Sequence, residues 1–546
     1  MNDTDQPRRR RYAAWGFEGE SFPPSPELLQ WLERRLGQGQ PVPRVEPSAV
    51  AIPRARELPP LPVSASTGAI DRLVHSRGQG LPDILRLRSG AGIVPPDGVC
   101  RPSDDDELEE LLRACDRHGV IVVPWGGGTS VTGGVNVPRE SAPVLTVDLS
   151  RLSGLRQLDA TSRLATFGAG TTGPQVEAAL SAHGFTLGHF PQSWELSTVG
   201  GWVVTRSSGQ ESLGYGRIED MIAGLRLVAP AGHLELIPLP GNAAGPELRT
   251  FVAGSEGRLG ILTSATLRVH PVPERTTVRA AFLRSWDDGV DTVRELTQAG
   301  VPLTMIRLSD PSETRVALAV GLASSRFAFL IQRYLRARKI GEPSCLMLFG
   351  AAGHPERVRD VLDSATTVAR RHRAVVVGSG PGRHWLADRF RHPYLRDGLL
   401  DAGYATDTFE TAVPWSSVEE LRTAVTAAVA GALDPWGEPT AVLCHLSHPY
   451  PDGTSLYFTF FYRATTDVDE NVARWAAVKR AAMAAIVSTG GTISHHHGVG
   501  TWHAPWLEAE TGRLGRAMVA ETSRLMDPHG ILNPQVLLDP TDRLES

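Results

Sequence analysis

The sequence predicts an α+β fold of more than one domain, on three observations. The chain is 546 residues long, helical and strand-like stretches alternate without strict βαβ repeats, and informative glycine is gathered in short clusters between strand-like runs. That length exceeds one ordinary core and makes a small binding module an unsuitable reading. With 41% hydrophobic and 21% charged residues, the composition is that of a folded globular chain. A net charge of −5, with Lys339 and Lys479 the only two lysines, gives no electrostatic case for nucleic acid. The four cysteines, Cys100, Cys115, Cys345 and Cys444, have no CxxC spacing. They suggest neither a zinc site nor a disulfide scaffold, and cytoplasmic residence fits best. No apolar run approaches the roughly 18 residues of a membrane span. The arginine run at 8–11 leads into acidic and Pro-rich sequence without an apolar stretch, so it reads as a frayed basic start and not as an export signal.

The elements follow in order. Residues 1–92 are rich in Pro, Arg and Ser, with one helix predicted over Pro26–Leu36 because Leu28, Leu29, Leu32 and Leu36 recur at helical spacing. This segment is an arm on the main body. Ser103 is the expected cap of a helix whose first turn holds Asp104, Asp105 and Asp106, at the positive end of the helix dipole. Leu108, Leu111, Leu112 and Cys115 form its apolar stripe, and Gly119 ends it. Strand-like runs follow at 120–123, 144–149 and 164–167. Pro174 in a first turn and Gly184 beyond the last mark another helix. After residue 275 the glycine clusters thin out, and a final helix ends near Met526.

Three small-residue clusters carry the first chemical signal. Gly126-Gly127-Gly128-Thr129-Ser130 follows a strand, where glycines let backbone N–H groups approach a phosphate; taken alone, the loop reads equally as a tight turn. The second comprises Ser197-Thr198-Val199-Gly200-Gly201 and Thr205-Arg206-Ser207-Ser208-Gly209, and the third spans 254–262. Together they suit a cradle for an extended dinucleotide.

From 101 to 270, the segments PWGGGTS, SWELSTVGGWVVTRSSG, YGRIEDMI and GSEGRLGIL resemble the FAD domain of the vanillyl-alcohol-oxidase and p-cresol-methylhydroxylase (PCMH) type flavoproteins. Within that superfamily the chain is most similar to the alkyldihydroxyacetonephosphate synthase (alkylglycerone-phosphate synthase) family. The likeness rests on Tyr394-Leu395-Arg396-Asp397, on Phe409-Glu410-Thr411-Ala412-Val413-Pro414-Trp415, on the strand at 455–460 and on His495-His496-His497-Gly498-Val499-Gly500. The resemblance implies an N-terminal arm (1–92), a two-subdomain PCMH-type FAD-binding domain (93–272), an α+β cap with a central antiparallel sheet (273–505) and a returning C-terminal segment (506–546). It places FAD against Pro124, Trp125, Gly126, Gly127, Gly128, Thr129 and Ser130. It adds Gln192, Ser193, Ser197, Thr198, Gly200, Gly201, Thr205, Arg206, Ser207 and Ser208, and then Glu256, Gly257, Arg258, Leu259, Gly260, Ile261 and Leu262. Relatives that hold FAD covalently do so through a His or Cys; Thr129, Ser130 and Ser193-Trp194-Glu195 stand here instead, so the expected FAD is non-covalent.

The remaining candidates lie in the cap. A hairpin around Pro451-Asp452-Gly453 puts Tyr457, Thr459 and Phe461 on one strand face, with Phe458 and Phe460 on the other. By residue type Tyr457 is an aromatic core position; the resemblance makes it the group that takes a proton from the substrate, which requires positive charge nearby. In an extended segment His495 and His497 share a face while His496 points away. That spacing suits a metal pair or a satisfied structural role, no third ligand stands at a recognisable spacing, and no metal is expected. The resemblance sets all three histidines beside the flavin and the substrate phosphate. It makes Arg396 the phosphate-binding residue and Arg307 a positioning residue for Arg396 or the flavin.

Phe327, Leu330, Ile331, Tyr334 and Leu335, with Arg326, Arg333, Arg336, Arg338 and Lys339 around them, form a basic amphipathic stretch. It reads either as peripheral membrane contact or as a cover over the core. The C-terminal Asp527-Pro528-His529-Gly530-Ile531-Leu532-Asn533-Pro534 reads as a fold-closing turn. The family implies exchange of the acyl group of acyl-dihydroxyacetone phosphate for a fatty alcohol, with lipid substrates and a homodimer. The alternative on the same scaffold is an FAD-linked oxidase or dehydrogenase of a D-2-hydroxy acid or other alcohol.

Overall fold

Four sheets organise the chain in a computed structural model that describes residues 9–323, 328–338, 340–341 and 344–538. The first has Gly98–Cys100, Val144–Asp148 and Ile121–Trp125 running parallel, with Ala65–Ser66 antiparallel at one edge. The second is antiparallel throughout, in the order Leu155–Asp159, Leu164–Gly168, Ile261–Arg268, Ile222–Ala229, Gly232–Leu236. Phe185–Thr186 pairs with His270–Pro271 in a small third sheet. One apolar core containing Leu108, Val122, Phe167, Trp202 and Ile261 joins the first two sheets and their helices.

From Arg275 onward the chain builds one seven-stranded antiparallel sheet. Its order is Val375–Gly378, Arg275–Leu283, Cys345–Gly353, Met305–Ser309, Ala441–Pro449, Gly453–Arg463, Tyr404–Pro414. Its apolar face supports a second core that includes Phe409, Phe458 and Phe460. The predicted hairpin is present, and its register sets Tyr457 opposite Glu410 on one side and His445 on the other. Register thus decides the neighbours of the polar face.

Local signals behaved largely as their chemistry dictates. The helix Asp105–His118 ends at Gly119 in the left-handed region, but Asp104 caps it, one residue later than expected. Ser103 instead donates its N–H and Oγ–H to Glu107. A carboxylate acceptor wins the cap because it can take the Glu107 N–H while Glu107 reaches back. Pro26–Leu36 buries Leu28, Leu32 and Leu36 against Leu399, Tyr404 and Phe461 of the large sheet and its helix.

Arg8 lies outside the described residues, but from Arg9 onward the basic start is not frayed. Arg9 to Glu18 close a small turn, with the Arg11 N–H donating to Gly16 O and the Glu18 N–H to Arg9 O. The C-terminal segment returns to the first sheet: Val122 donates to Ile531 O and Asn533 donates to Val122 O. Asp527 fixes that turn by accepting from Ile531 and Leu532. Of the basic amphipathic stretch, Arg326, Phe327 and Lys339, and the side chains of Leu330 and Ile331, lie outside the described residues. Leu335 packs against Phe282 and Ile340 while Tyr334 is exposed, so this end of the helix covers the large sheet. No described helix is long and apolar enough to cross a membrane.

Candidate active site

The three small-residue clusters meet. A Cβ on Gly127 would collide with the Leu196 carbonyl, and Gly128, at φ +63, packs on Trp125. These glycines therefore let two loops touch backbone to backbone, which spacing alone does not reveal. The N–H groups of Gly127, Gly128, Thr129 and Ser130 donate to no acceptor among the described residues. Of these four residues only Gly128 is buried, but Ser208 Oγ and His189 Nδ1 are buried without a partner, while His189 Nε2 meets Ser207 Oγ at 2.7 Å. Unpaired buried donors are costly, so this cradle fits a phosphate-rich group such as the pyrophosphate of FAD.

Other predicted contact residues make bonds within the protein. Arg206 is paired with Glu219, Arg258 donates to Leu532 O, and Gln192 donates to Arg389 O. Thr198 caps the helix Val199–Thr205, Ser197 accepts from Trp202, and Thr205 donates to Gly201 O. Leu259, Ile261 and Leu262 are core residues. Glu256 is buried, accepts from the Val499 and Gly500 N–H groups at 2.6 and 2.8 Å, and so joins the third cluster to the loop of the three histidines. Burial pushes its carboxyl up to about 7 despite those two donors.

The N-terminal arm enters this assembly. Arg10 donates to Gly127 O, and Arg11 pairs with Asp397 at 3.2 Å. The Trp15 N–H donates to the same carboxylate at 3.0 Å, and the Trp15 ring is buried on Leu196 and Tyr394. One short segment thus ties both cradle loops to the helix His392–Asp401, which carries Arg396.

Arg396 makes no ion pair or hydrogen bond among the described residues, and its Nε is buried without a partner. A guanidinium held in this way is a ready grip for an anion. Arg307 is tied to other groups. It donates to Glu313 at 2.7 Å and meets His445 Nδ1 at 3.2 Å, while His445 stacks on Tyr457 with ring centres 4.8 Å apart. Burial of Glu313 favours its neutral form, but His445 and Arg307 together outweigh it and hold the carboxyl at about 2. His392 feels Arg307, Glu313 and His445, which places the start of Arg396's helix beside this group.

Tyr457 stands between His445 and His497, whose ring lies edge-on at 5.7 Å. Arg307 supplies positive charge that favours its anion, as does the hydrogen bond with Thr408, but burial pushes the phenol up and Glu410 and Asp407 add to the rise. The histidine triplet is also arranged differently from an extended segment. His495 and His496, not His495 and His497, turn to one centre, because the backbone bends there.

That centre is Glu410, fully buried on the strand Tyr404–Pro414. His496 Nδ1 lies 2.6 Å from Oε2, His495 Nδ1 3.6 Å from Oε1 and His448 Nε2 4.0 Å from Oε1. Burial alone would raise the Glu410 carboxyl, yet His496 and then His495 outweigh it and hold it well below the usual range. Glu410, His448, His445 and Glu313 are residues that sequence reasoning did not assign. For Glu410, His445 and His448 the signal was present only as a segment likeness around Phe409-Glu410-Thr411 and as the hairpin itself, and Glu313 lies in neither.

Comparison with known proteins fits this geometry. The FAD binding domain model matches residues 96–237, and the model of the C-terminal domain of FAD linked oxidases matches residues 272–537. The fold and cradle therefore define an FAD-dependent enzyme of the FAD-linked oxidase class. Within that class the chain belongs to the alkyldihydroxyacetonephosphate synthase family. It is 32% identical to that synthase from Trypanosoma brucei brucei over 478 residues, which cover 86% of this chain and 78% of the relative. It is 31% identical to the synthase from Dictyostelium discoideum over 493 residues, covering 89% and 80%. A solved alkyldihydroxyacetonephosphate synthase structure superposes with a TM-score of 0.81 at 26% identity, covering 96% of this chain and 98% of that one.

Proposed function

We propose that this chain acts as an alkyldihydroxyacetonephosphate synthase, replacing the acyl group of acyl-dihydroxyacetone phosphate with a fatty alcohol and causing no net redox change. The observation that carries the reading is the unpartnered Arg396 guanidinium on the same helix whose start adjoins the Arg307, His445 and Tyr457 group. In this reading Arg396 grips the substrate phosphate bidentately, with the half-buried His496 and His497 as further donors. Tyr457 receives the proton leaving C1. Because its phenol is neutral in the free protein, it hands its own hydroxyl proton on as it takes the new one. His497, whose ring stands edge-on to Tyr457, is the acceptor beside it in this reading. Arg307 and Glu313 hold His445 against the Tyr457 ring and so fix its angle. FAD, held by the 126–130 loop and Ser208 without a covalent bond, supplies when bound an electron-poor centre that takes up and returns an electron pair at carbon.

The test uses purified yellow protein and acyl-dihydroxyacetone phosphate. Fatty acid release that depends on added fatty alcohol, and that is lost in Tyr457→Phe with flavin retained, is the expected result. Anaerobic bleaching of the flavin by a D-2-hydroxy acid, without such release, would overturn the proposal.

A further inference from the structure

We propose that Glu410, His448, His495 and His496 form a binding site for one divalent transition-metal ion of the zinc class. Each of these residues offers one ligand atom, and the four atoms lie within 4.8 Å of one another. Tetrahedral bonds of roughly 2.0–2.1 Å set ligand atoms about 3.3 Å apart. The measured separations bracket that value: 2.6 Å from His496 Nδ1 to Glu410 Oε2, 3.2 Å between His495 Nδ1 and His496 Nδ1, 3.6 Å from His495 Nδ1 to Glu410 Oε1, and 4.0 Å from His448 Nε2 to Glu410 Oε1.

The donor set is three imidazoles and one carboxylate, which suits zinc, cobalt or a similar ion. Rigid elements deliver two of the four: Glu410 lies within an eleven-residue strand and His448 near the end of the neighbouring hairpin's first strand. Supporting contacts orient the ligands as metal sites require. Tyr450 OH meets His495 Nε2 at 2.7 Å, which turns Nδ1 inward, and Ser447 Oγ donates to Glu410 Oε1 at 2.9 Å.

Glu410 is fully buried, and a buried carboxylate must be paired or coordinate a metal. Two ring nitrogens facing each other at 3.2 Å share at most one proton, whereas an ion between them satisfies both and the carboxylate together. Four protein ligands close the coordination, so the ion is positional and not an open catalytic centre. It would pin the first two histidines of the triplet and leave His497 for Tyr457. The site does not depend on which substrate the enzyme takes.

The experiment uses flavin-loaded, full-length protein, stripped with chelator and titrated with Co2+ or Zn2+. About one ion per chain is expected, with Co2+ ligand-field bands on the red side of the flavin spectrum and with both signals lost in Glu410→Gln and His448→Ala variants that keep their flavin. X-ray absorption of the zinc-loaded wild-type protein, which needs no variant to fold, should show three imidazoles and one oxygen donor. Flavin-loaded wild type that takes up neither ion would overturn the site. So would unchanged cobalt bands in both variants, or an absorption shell without imidazole.

Discussion

Replacing Arg396 offers the sharpest test of where the substrate anion is held. The guanidinium makes no contact-distance ion pair among the described residues and acts on the buried Asp397 only at longer range, and its unpartnered buried Nε disappears with it. Arg396→Ala should therefore leave the unfolding midpoint little changed, unlike the loss of a structural arginine. Substrate binding should suffer instead. A bidentate grip comprises two charge-assisted hydrogen bonds at about 1.5 kcal/mol or more each, so about 3 kcal/mol is lost, which is roughly 100-fold in kcat/KM. Arg396→Lys keeps the charge but not the fork, and should recover only part of that loss. Steady-state kinetics with acyl-dihydroxyacetone phosphate, together with thermal unfolding of the same preparations, measures both sides. An unchanged kcat/KM combined with a clearly lowered midpoint would refute the reasoning, because Arg396 would then be a structural residue.

Two further outcomes follow from the bonds of Arg10 and Glu256. Arg10→Ala removes a charged donor from Gly127 O and should weaken flavin binding about tenfold or more, as read from free flavin after ultrafiltration; wild-type retention would disprove a role for the arm in the cradle. Glu256 has its folded value raised from 4.5 to about 7. Its contribution to stability is fully present below the unfolded value and is lost as pH rises through the folded one, because only the unfolded chain releases the proton between them. The effect is at most about 3 kcal/mol, and Glu256→Gln should flatten the pH dependence of the unfolding midpoint across that window; parallel wild-type and variant curves would contradict it.

Much of the scaffold was legible because its signals are local. The Leu28, Leu32 and Leu36 spacing, Gly119 as a stop, and the hairpin around Pro451-Asp452-Gly453 each act within a few residues. The cradle was legible as glycine clusters, yet the role of Gly127 was not, since its collision partner is Leu196 in another loop. Glu410 escaped assignment for a similar reason. Only the register of three strands brings it opposite Tyr457 and near His448, and sequence carries no direct measure of register between distant strands. The triplet's pairing was misjudged because an extended chain was assumed where the backbone bends.

The arm's contacts bear on how the enzyme is made. Arg10 and Arg11 leave the ribosome long before their partners, since Gly127 follows Arg10 by 117 residues and Asp397 follows Arg11 by 386. At about 5–20 residues per second, the second interval lasts roughly 20–80 s. Over roughly the last third of it the strands through Arg268 have been made, but the helix on which the arm fastens has not. Cofactor capture during synthesis would then be provisional, becoming firm only when the last part of the large sheet and its helix are in place.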